Sequence, residues 1–180
     1  MQKIKIAEKQ FEIFLENETI NKRIRLIGVQ LNLAYEDKCP LFIGILNGSF
    51  LFMADLIKEI TIPCEVAFMR VASYDGASSS GQVKELIGLP PNISGRDIIV
   101  IEDIVDTGLT LTHILKTIKA LKPASVKVAS LLLKPSALKY QIEDLEYVGF
   151  EIPNEFVVGY GLDYNGLGRN LIDIYSATEG

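Results

Sequence analysis

The run Ile98-Ile99-Val100-Ile101-Glu102-Asp103-Ile104-Val105-Asp106-Thr107-Gly108-Leu109-Thr110-Leu111-Thr112 constrains this chain more than any other stretch. Four consecutive apolar β-branched residues, Ile98 to Ile101, suit a strand covered on both faces, as in a parallel sheet, rather than a half-exposed antiparallel one. Glu102 and Asp103 then fall at the strand's carboxyl end, where ligands bind in open α/β sheets. Asp106-Thr107-Gly108-Leu109-Thr110 sets a glycine and two hydroxyls ahead of Leu111, Ile114, Leu115 and Ile118, whose spacing predicts a helix. Amides at such a helix start face an incoming anion, and the helix dipole favours it. The carboxylates are repelled by phosphate, so they suit sugar hydroxyls, Mg²⁺ or a proton. The layout fits a phosphorylated sugar; its competitor is an ordinary strand, an acidic turn and a capped helix.

Elsewhere the pattern alternates strand and helix. Ile6 to Ala34 has helical spacing and reads as one or two helices split near Glu18-Thr19, with Asn17 and Thr19 as capable caps. Leu41 to Leu46 reads as a strand, Asn47-Gly48-Ser49 as a tight turn, and Phe50, Phe52, Met53, Leu56 and Ile57 as a helix face. Glu65 to Ala72 is a predicted strand, followed by the small-residue loop Ser73 to Gly81. A helix from Thr110 to Leu121, a strand from Val126 to Leu133, a variable segment to about Val148 and a strand around Phe156 to Tyr160 complete the reading. The expectation is an α/β fold with a Rossmann-like, mainly parallel sheet flanked by helices, over one domain spanning residues 1–180.

A chain of 180 residues with 48% hydrophobic content suffices for one sizeable core. A net charge of -5 and a pI near 5.0 argue against a nucleic-acid surface, which needs a basic face. No stretch approaches the roughly 20 apolar residues that span a bilayer, and no apolar signal follows Met1, so a cytoplasmic protein is expected. Cys39 and Cys64 lack metal-ligand spacing and read as free thiols.

Glu102-Asp103-Ile104-Val105-Asp106-Thr107-Gly108-Leu109-Thr110 resembles the binding motif for 5-phosphoribosyl pyrophosphate (PRPP) of type I phosphoribosyltransferases. From about Leu41 to Ile174 the chain resembles the hypoxanthine-guanine members of that family. The resemblance implies their fold, with a small hood built from the terminal segments over the sheet. It also implies Mg²⁺ as cofactor and a homodimer or homotetramer.

Residue by residue, the resemblance assigns PRPP binding to Glu102, Asp103, Asp106, Thr107, Gly108, Leu109 and Thr110. Leu46, Asn47 and Gly48 correspond to a pyrophosphate loop, often with a cis peptide, in which many relatives carry Lys where Asn47 stands. Leu109 likewise replaces a basic residue of some relatives; in both places backbone amides remain to hold the anion. Ser73 and Tyr74 would open a lid that excludes water from the reacting sugar. Lys134 would donate to O6 of a 6-oxopurine, where an amino group would set donor against donor. In the stretch Phe156-Val157-Val158-Gly159-Tyr160-Gly161-Leu162-Asp163, Phe156 would stack on the base, Val157 would offer backbone groups to its edge and Asp163 would help position Mg²⁺ with Glu102 and Asp103. Arg169 would grip pyrophosphate. Each has a plainer counterpart: a simple turn at Asn47-Gly48, a solvated serine loop, a surface lysine, a core strand at Phe156. His113, one turn into the helix, reads as a surface or packing histidine.

The activity so implied joins hypoxanthine or guanine to PRPP, giving pyrophosphate and a purine nucleoside monophosphate, with Asp106 taking the proton at purine N7. A transferase for xanthine or another base, a non-catalytic PRPP-binding regulator and a receiver-like signalling domain are the alternatives.

Overall fold

The computed structural model describes residues 3–73, 83–90 and 92–178. The chain opens with strands β1 (Lys3–Ile6) and β2 (Lys9–Leu15), then helix α1 (Asn17–Ala34). It continues through β3 (Leu41–Leu46), α2 (Phe50–Lys58), β4 (Glu65–Ser73), β5 (Val83–Ile87), β6 (Asp97–Val105), α3 (Leu109–Ala120), β7 (Ser125–Leu133), β8 (Leu145–Glu151), β9 (Val157–Val158) and β10 (Ile174–Ala177).

The larger sheet has the order β5-β4-β3-β6-β7-β8, parallel except for the antiparallel edge strand β5. At its centre β6 is buried on both faces, which explains its unbroken β-branched run. Ile99 and Ile101 point into the cluster closed by Ile20, Ile24, Ile27 and Leu31 of α1 and Phe52, Met53 and Leu56 of α2. Ile98 and Val100 point the other way, against Leu111, Ile114, Leu115 and Ile118 of α3. A sheet between helical layers is the expected architecture, and α3 follows the predicted spacing to within a residue at each end.

The smaller sheet, in the order β1-β2-β10-β9, is antiparallel and joins both ends of the chain around Phe11, Val158 and Tyr175. This is the expected hood. Its first half corrects the reading of Ile6 to Ala34 as helix: only Asn17–Ala34 is helical, and Lys9–Leu15 is a strand. Phe11 and Ile13 face the hood cluster while Phe14 and Leu15 pack on the main core, and pairing with β1 and β10 outweighs the local helical compatibility of this segment. The strand at Phe156 to Tyr160 shortens to Val157–Val158.

The central strand also runs further than its apolar run predicts. Glu102, Ile104 and Val105 keep their pairing with Ser130, Leu132 and Leu133 of β7, so the acidic pair sits within the last part of the strand. His113 is exposed on α3, and both cysteines are free, as expected. Among the described residues no helix is long and apolar enough to cross a membrane.

Candidate active site

Parallel pairing of β6 with β7 brings Val105 level with Leu133. The next residue of each strand therefore meets its counterpart: Lys134 Nζ donates to Asp106 Oδ2 at 3.0 Å, although 28 positions separate them. The lysine side chain is 8% exposed and the aspartate side chain 48%, so a buried ammonium braces a carboxylate that reaches the opening of the site.

Beyond Asp106 the chain turns through Gly108, whose φ of +83° at the helix N-cap is a left-handed conformation that glycine adopts without steric cost. Thr112 N–H closes the first helical bond to Gly108 O at 2.9 Å. The earlier amides of α3 have no carbonyl within the helix to receive them, and Leu109 N–H makes only a long 3.4 Å contact with Thr107 Oγ1. A hollow of about 150 Å³, lined by Glu102 and by Ile104 through Leu111, opens at this point. Its donors, dipole and hydroxyls suit a phosphate.

Glu102 and Asp103 lie behind that turn. Burial, followed by the neighbouring Asp103 charge, pushes the Glu102 carboxyl well above its usual range, and Glu102 Oε2 is buried without a partner. Burial raises Asp103 too, opposed by the Ile104 N–H that donates to its Oδ1 at 2.9 Å and by the charge of Arg169. Two adjacent acids raised mainly by burial, one with an unpartnered oxygen, are the condition that a hydrated cation or sugar hydroxyls would relieve.

The loop after β3 approaches from the other side. Its Leu46–Asn47 peptide bond is cis. Ser49 is fully buried and its Oγ donates to Ile45 O at 2.6 Å, fixing the turn into α2 while Asn47 stays exposed. A methyl group at Gly48 would fall inside the Asp103 carboxylate, so only glycine lets this loop lie against the acid. Gly48 O in turn packs against Gly161, leaving no room for a side chain there.

The C-terminal stretch closes the ring. Asp163 receives Arg169 Nη2 at 2.6 Å on one oxygen and Gly166 N–H at 2.7 Å on the other, and Arg169 Nη1 donates to Gly161 O at 2.7 Å. Phe156 is 44% exposed. Its ring meets Tyr164 edge-on at 5.7 Å and tilts against Phe11 at 6.4 Å. Asp103, Ile104, Asp106, Lys134, Phe156, Val157, Leu162 and Asp163 line one cavity of about 280 Å³, which shares Ile104 and Asp106 with the phosphate hollow.

Most of the predicted site residues thus converge. Leu46, Asn47 and Gly48 do not line the cavity, although Gly48 lies against Asp103, and Arg169 pairs with Asp163 without lining the cavity itself. Ser73 ends β4, while Tyr74 lies outside the described residues. Sequence reasoning missed Tyr164 and Lys9, whose ammonium lies 5.5 Å from the Phe156 ring centre and 5.0 Å from that of Tyr164. Tyr164 directly follows Asp163 and was within reach of the motif; Lys9 arrives through the hairpin and carried no local signal.

The phosphoribosyl transferase domain family matches residues 10–165. The hypoxanthine-guanine phosphoribosyltransferase of Bacillus subtilis is 45% identical over 161 residues, 89% of either chain. That of Streptococcus pyogenes serotype M3 is 48% identical over 160 residues, 88% of either chain. This chain is a member of the hypoxanthine-guanine phosphoribosyltransferase family. A hypoxanthine phosphoribosyltransferase crystal structure from Staphylococcus aureus superposes with a TM-score of 0.88 at 42% identity, covering 93% of this chain and 91% of that one.

For a phosphoribosyltransferase the acidic pair raises the question of metal. Among the described residues no three His, Cys, Asp or Glu side chains converge as a cage. Mg²⁺ beside phosphates takes most of its oxygens from substrate and water and needs only one or two carboxylates, a number that Glu102, whose Oε2 has no partner, and the adjacent Asp103 would meet.

The raised carboxyls also set a pH dependence for the free protein. A carboxyl raised by folding contributes full stability below its ordinary range, about pH 4, and loses it as pH climbs through the raised folded value. Glu102→Gln removes the ionisation that burial opposes. Its melting temperature is therefore expected to exceed wild type near pH 8 and to converge with it toward pH 4.5, as thermal melts across that range would show; parallel profiles would reject the assignment.

Proposed function

We propose that this chain transfers the 5-phosphoribosyl group of PRPP to hypoxanthine or guanine, releasing pyrophosphate and forming IMP or GMP in purine salvage. The observation that carries this reading is the Lys134–Asp106 pair beside Phe156 in one cavity next to the α3 N-terminus. A 6-oxopurine presents an acceptor, O6, beside N7, which carries a proton in the reactive tautomer. An ammonium beside a carboxylate is the matching order of donor and acceptor. Adenine would place its amino donors against Lys134.

Phosphate of PRPP would sit on the first-turn amides of α3 with Thr107 and Thr110, in the hollow they share. Glu102 and Asp103 would bind the ribose hydroxyls. Purine N9 then forms a bond to ribose C1 as the C1–oxygen bond to pyrophosphate breaks, and the N7 proton passes to Asp106. Phe156 would cover the base, Val157 would meet its edge through the backbone, and Gly48, Asn47 and Arg169 would receive the pyrophosphate. Glu102, Asp103 and Asp163 are the residues that would hold Mg²⁺ or its waters, and the ion when bound neutralises charge on the leaving pyrophosphate. Ser73 and Tyr74 would open the lid. We place the enzyme in the cytoplasm as a homodimer or homotetramer, which sedimentation of the purified protein tests.

Pyrophosphate release from PRPP and Mg²⁺ with each base in turn decides the activity. Rapid turnover with hypoxanthine and guanine, with adenine slower by at least a hundredfold, is expected of a site that discriminates by hydrogen bonding. Faster turnover with xanthine would reassign the substrate. PRPP binding without turnover on any base would make the chain a regulator.

A further inference from the structure

Behind the cavity, the Tyr160 hydroxyl donates to Asp55 Oδ2, joining the purine-side turn to α2. Tyr160 is 2% exposed and held at φ +49° between Gly159 and Gly161. The other oxygen of Asp55 takes Lys58 Nζ at 2.5 Å. Tyr160 and Asp55 line a solvent-open cleft that also includes Asn17, Arg25 and Ile172, and neither lines the cavity of Lys134 and Phe156. Any effect they have on substrate therefore passes through the elements they join.

Each end of this bond is rigidly connected to one half of the pyrophosphate side. On one side, Met53 N–H reaches Ser49 O at 2.8 Å, Phe50 N–H reaches Asn47 O at 3.4 Å and Ser49 Oγ reaches Ile45 O at 2.6 Å, so the loop moves with α2. On the other, Tyr160 N–H donates to Leu171 O at 2.8 Å and Gly161 N–H to Arg169 O at 3.0 Å, while Arg169 grips Gly161 O and Asp163. Where the halves touch, Gly48 O lies against Gly161. That contact sets how closely the halves approach; apolar packing of Tyr160 and Leu162 in the same core as Phe52, Met53 and Leu56 holds them together without fixing a direction. The phenol–carboxylate bond ties the two segments directly, with Tyr160 2% exposed and the Asp55 carboxylate at the edge of the cleft.

We propose that Tyr160 and Asp55 are a positioning pair that fixes the spacing between the Leu46-Asn47-Gly48 loop and the Arg169–Asp163 unit, and so sets affinity for the pyrophosphate group. The proposal rests on assigning those two halves to pyrophosphate. It predicts a selective defect: the base-facing residues Asp106, Lys134, Phe156 and Val157 lie outside the two halves that the pair joins, whereas Asp163 belongs to one of them.

Tyr160→Phe deletes only the hydroxyl and keeps the buried ring. It is expected to raise KM for PRPP and the dissociation constant of Mg²⁺-pyrophosphate by about tenfold, the scale of one hydrogen bond to a charged group, with KM for hypoxanthine within twofold of wild type. Asp55→Ala should reproduce this, and the double variant should be no worse than either single one. Asp55→Asn keeps an acceptor for the phenol and should restore most of the affinity. Pyrophosphate and PRPP binding are measured by calorimetry as well as turnover, so a wild type that binds both but turns over no base would overturn the proposed activity while still judging the pair. Equal rises in both KM values, unchanged pyrophosphate affinity, additive effects or no binding of either ligand by wild type would overturn the positioning role.

Discussion

Asp106→Asn is expected to lower kcat about a hundredfold, the usual scale of general-base catalysis, while product nucleotide affinity changes only a few-fold. Asparagine has the shape of aspartate and keeps an oxygen for Lys134 Nζ, which donates to this position at 3.0 Å. What it loses is the capacity to accept a proton. Lys134 is buried and would lose its counter-charge, so some loss of stability accompanies the substitution. A melting curve separates that effect, because a folded variant with slow turnover and near-normal nucleotide binding isolates the proton transfer. Burst measurements of the first turnover would show whether chemistry has become the slow step. Turnover close to wild type in a folded variant would remove Asp106 from the mechanism.

The legibility of this site followed the range of the interactions that build it. The strand at Ile98, the turn at Gly108 and the face of α3 are consecutive, and each is specified by residues within a few positions. Their reading held. The continuation of β6 to Val105 was not legible, because Glu102 and Asp103 disfavour a strand locally and only pairing with β7 keeps them in it. Phe11 shows the opposite failure. Its alternation with Ile13 and Leu15 is a strand signal, but the strong helical period from Ile20 to Leu31 invites extension toward the N-terminus. What makes Lys9–Leu15 a strand is pairing on both edges, with β1 across the hairpin and with β10, a four-residue segment more than 150 positions away.

The chemistry shows the same division. Lys134 was recognisable as a cation at a strand end, yet its pairing with Asp106 depends on two parallel strands in one register, which spacing cannot reveal. Glu102 was readable as an acid near a phosphate turn; its buried, unpartnered oxygen was not. The Tyr160–Asp55 bond spans 105 positions and joins two segments whose local patterns describe only a helix and a turn.

Gly48 is where the two scales meet, and Gly48→Ala is expected to cut kcat/KM for PRPP about a hundredfold, the cost of displacing a positioned group by about an ångström. The sequence marks Asn47-Gly48 as a turn, which a small side chain would tolerate. In the structure the added methyl has nowhere to go: the Asp103 carboxylate occupies its place, and Asp103 is itself held by Ile104 N–H within β6. Either the loop retreats from the pyrophosphate side or the acid turns away from the sugar hydroxyls, and both outcomes reach PRPP before they reach the base. KM for hypoxanthine should therefore change far less than KM for PRPP. Gly95→Ala is the control, since Gly95 has φ +73° and open space around its Cα. It should cost about 1–2 kcal/mol of stability through the left-handed backbone and leave PRPP affinity intact. If Gly48→Ala behaved like Gly95→Ala, losing stability without losing PRPP, the contact between this loop and Asp103 would have no part in binding.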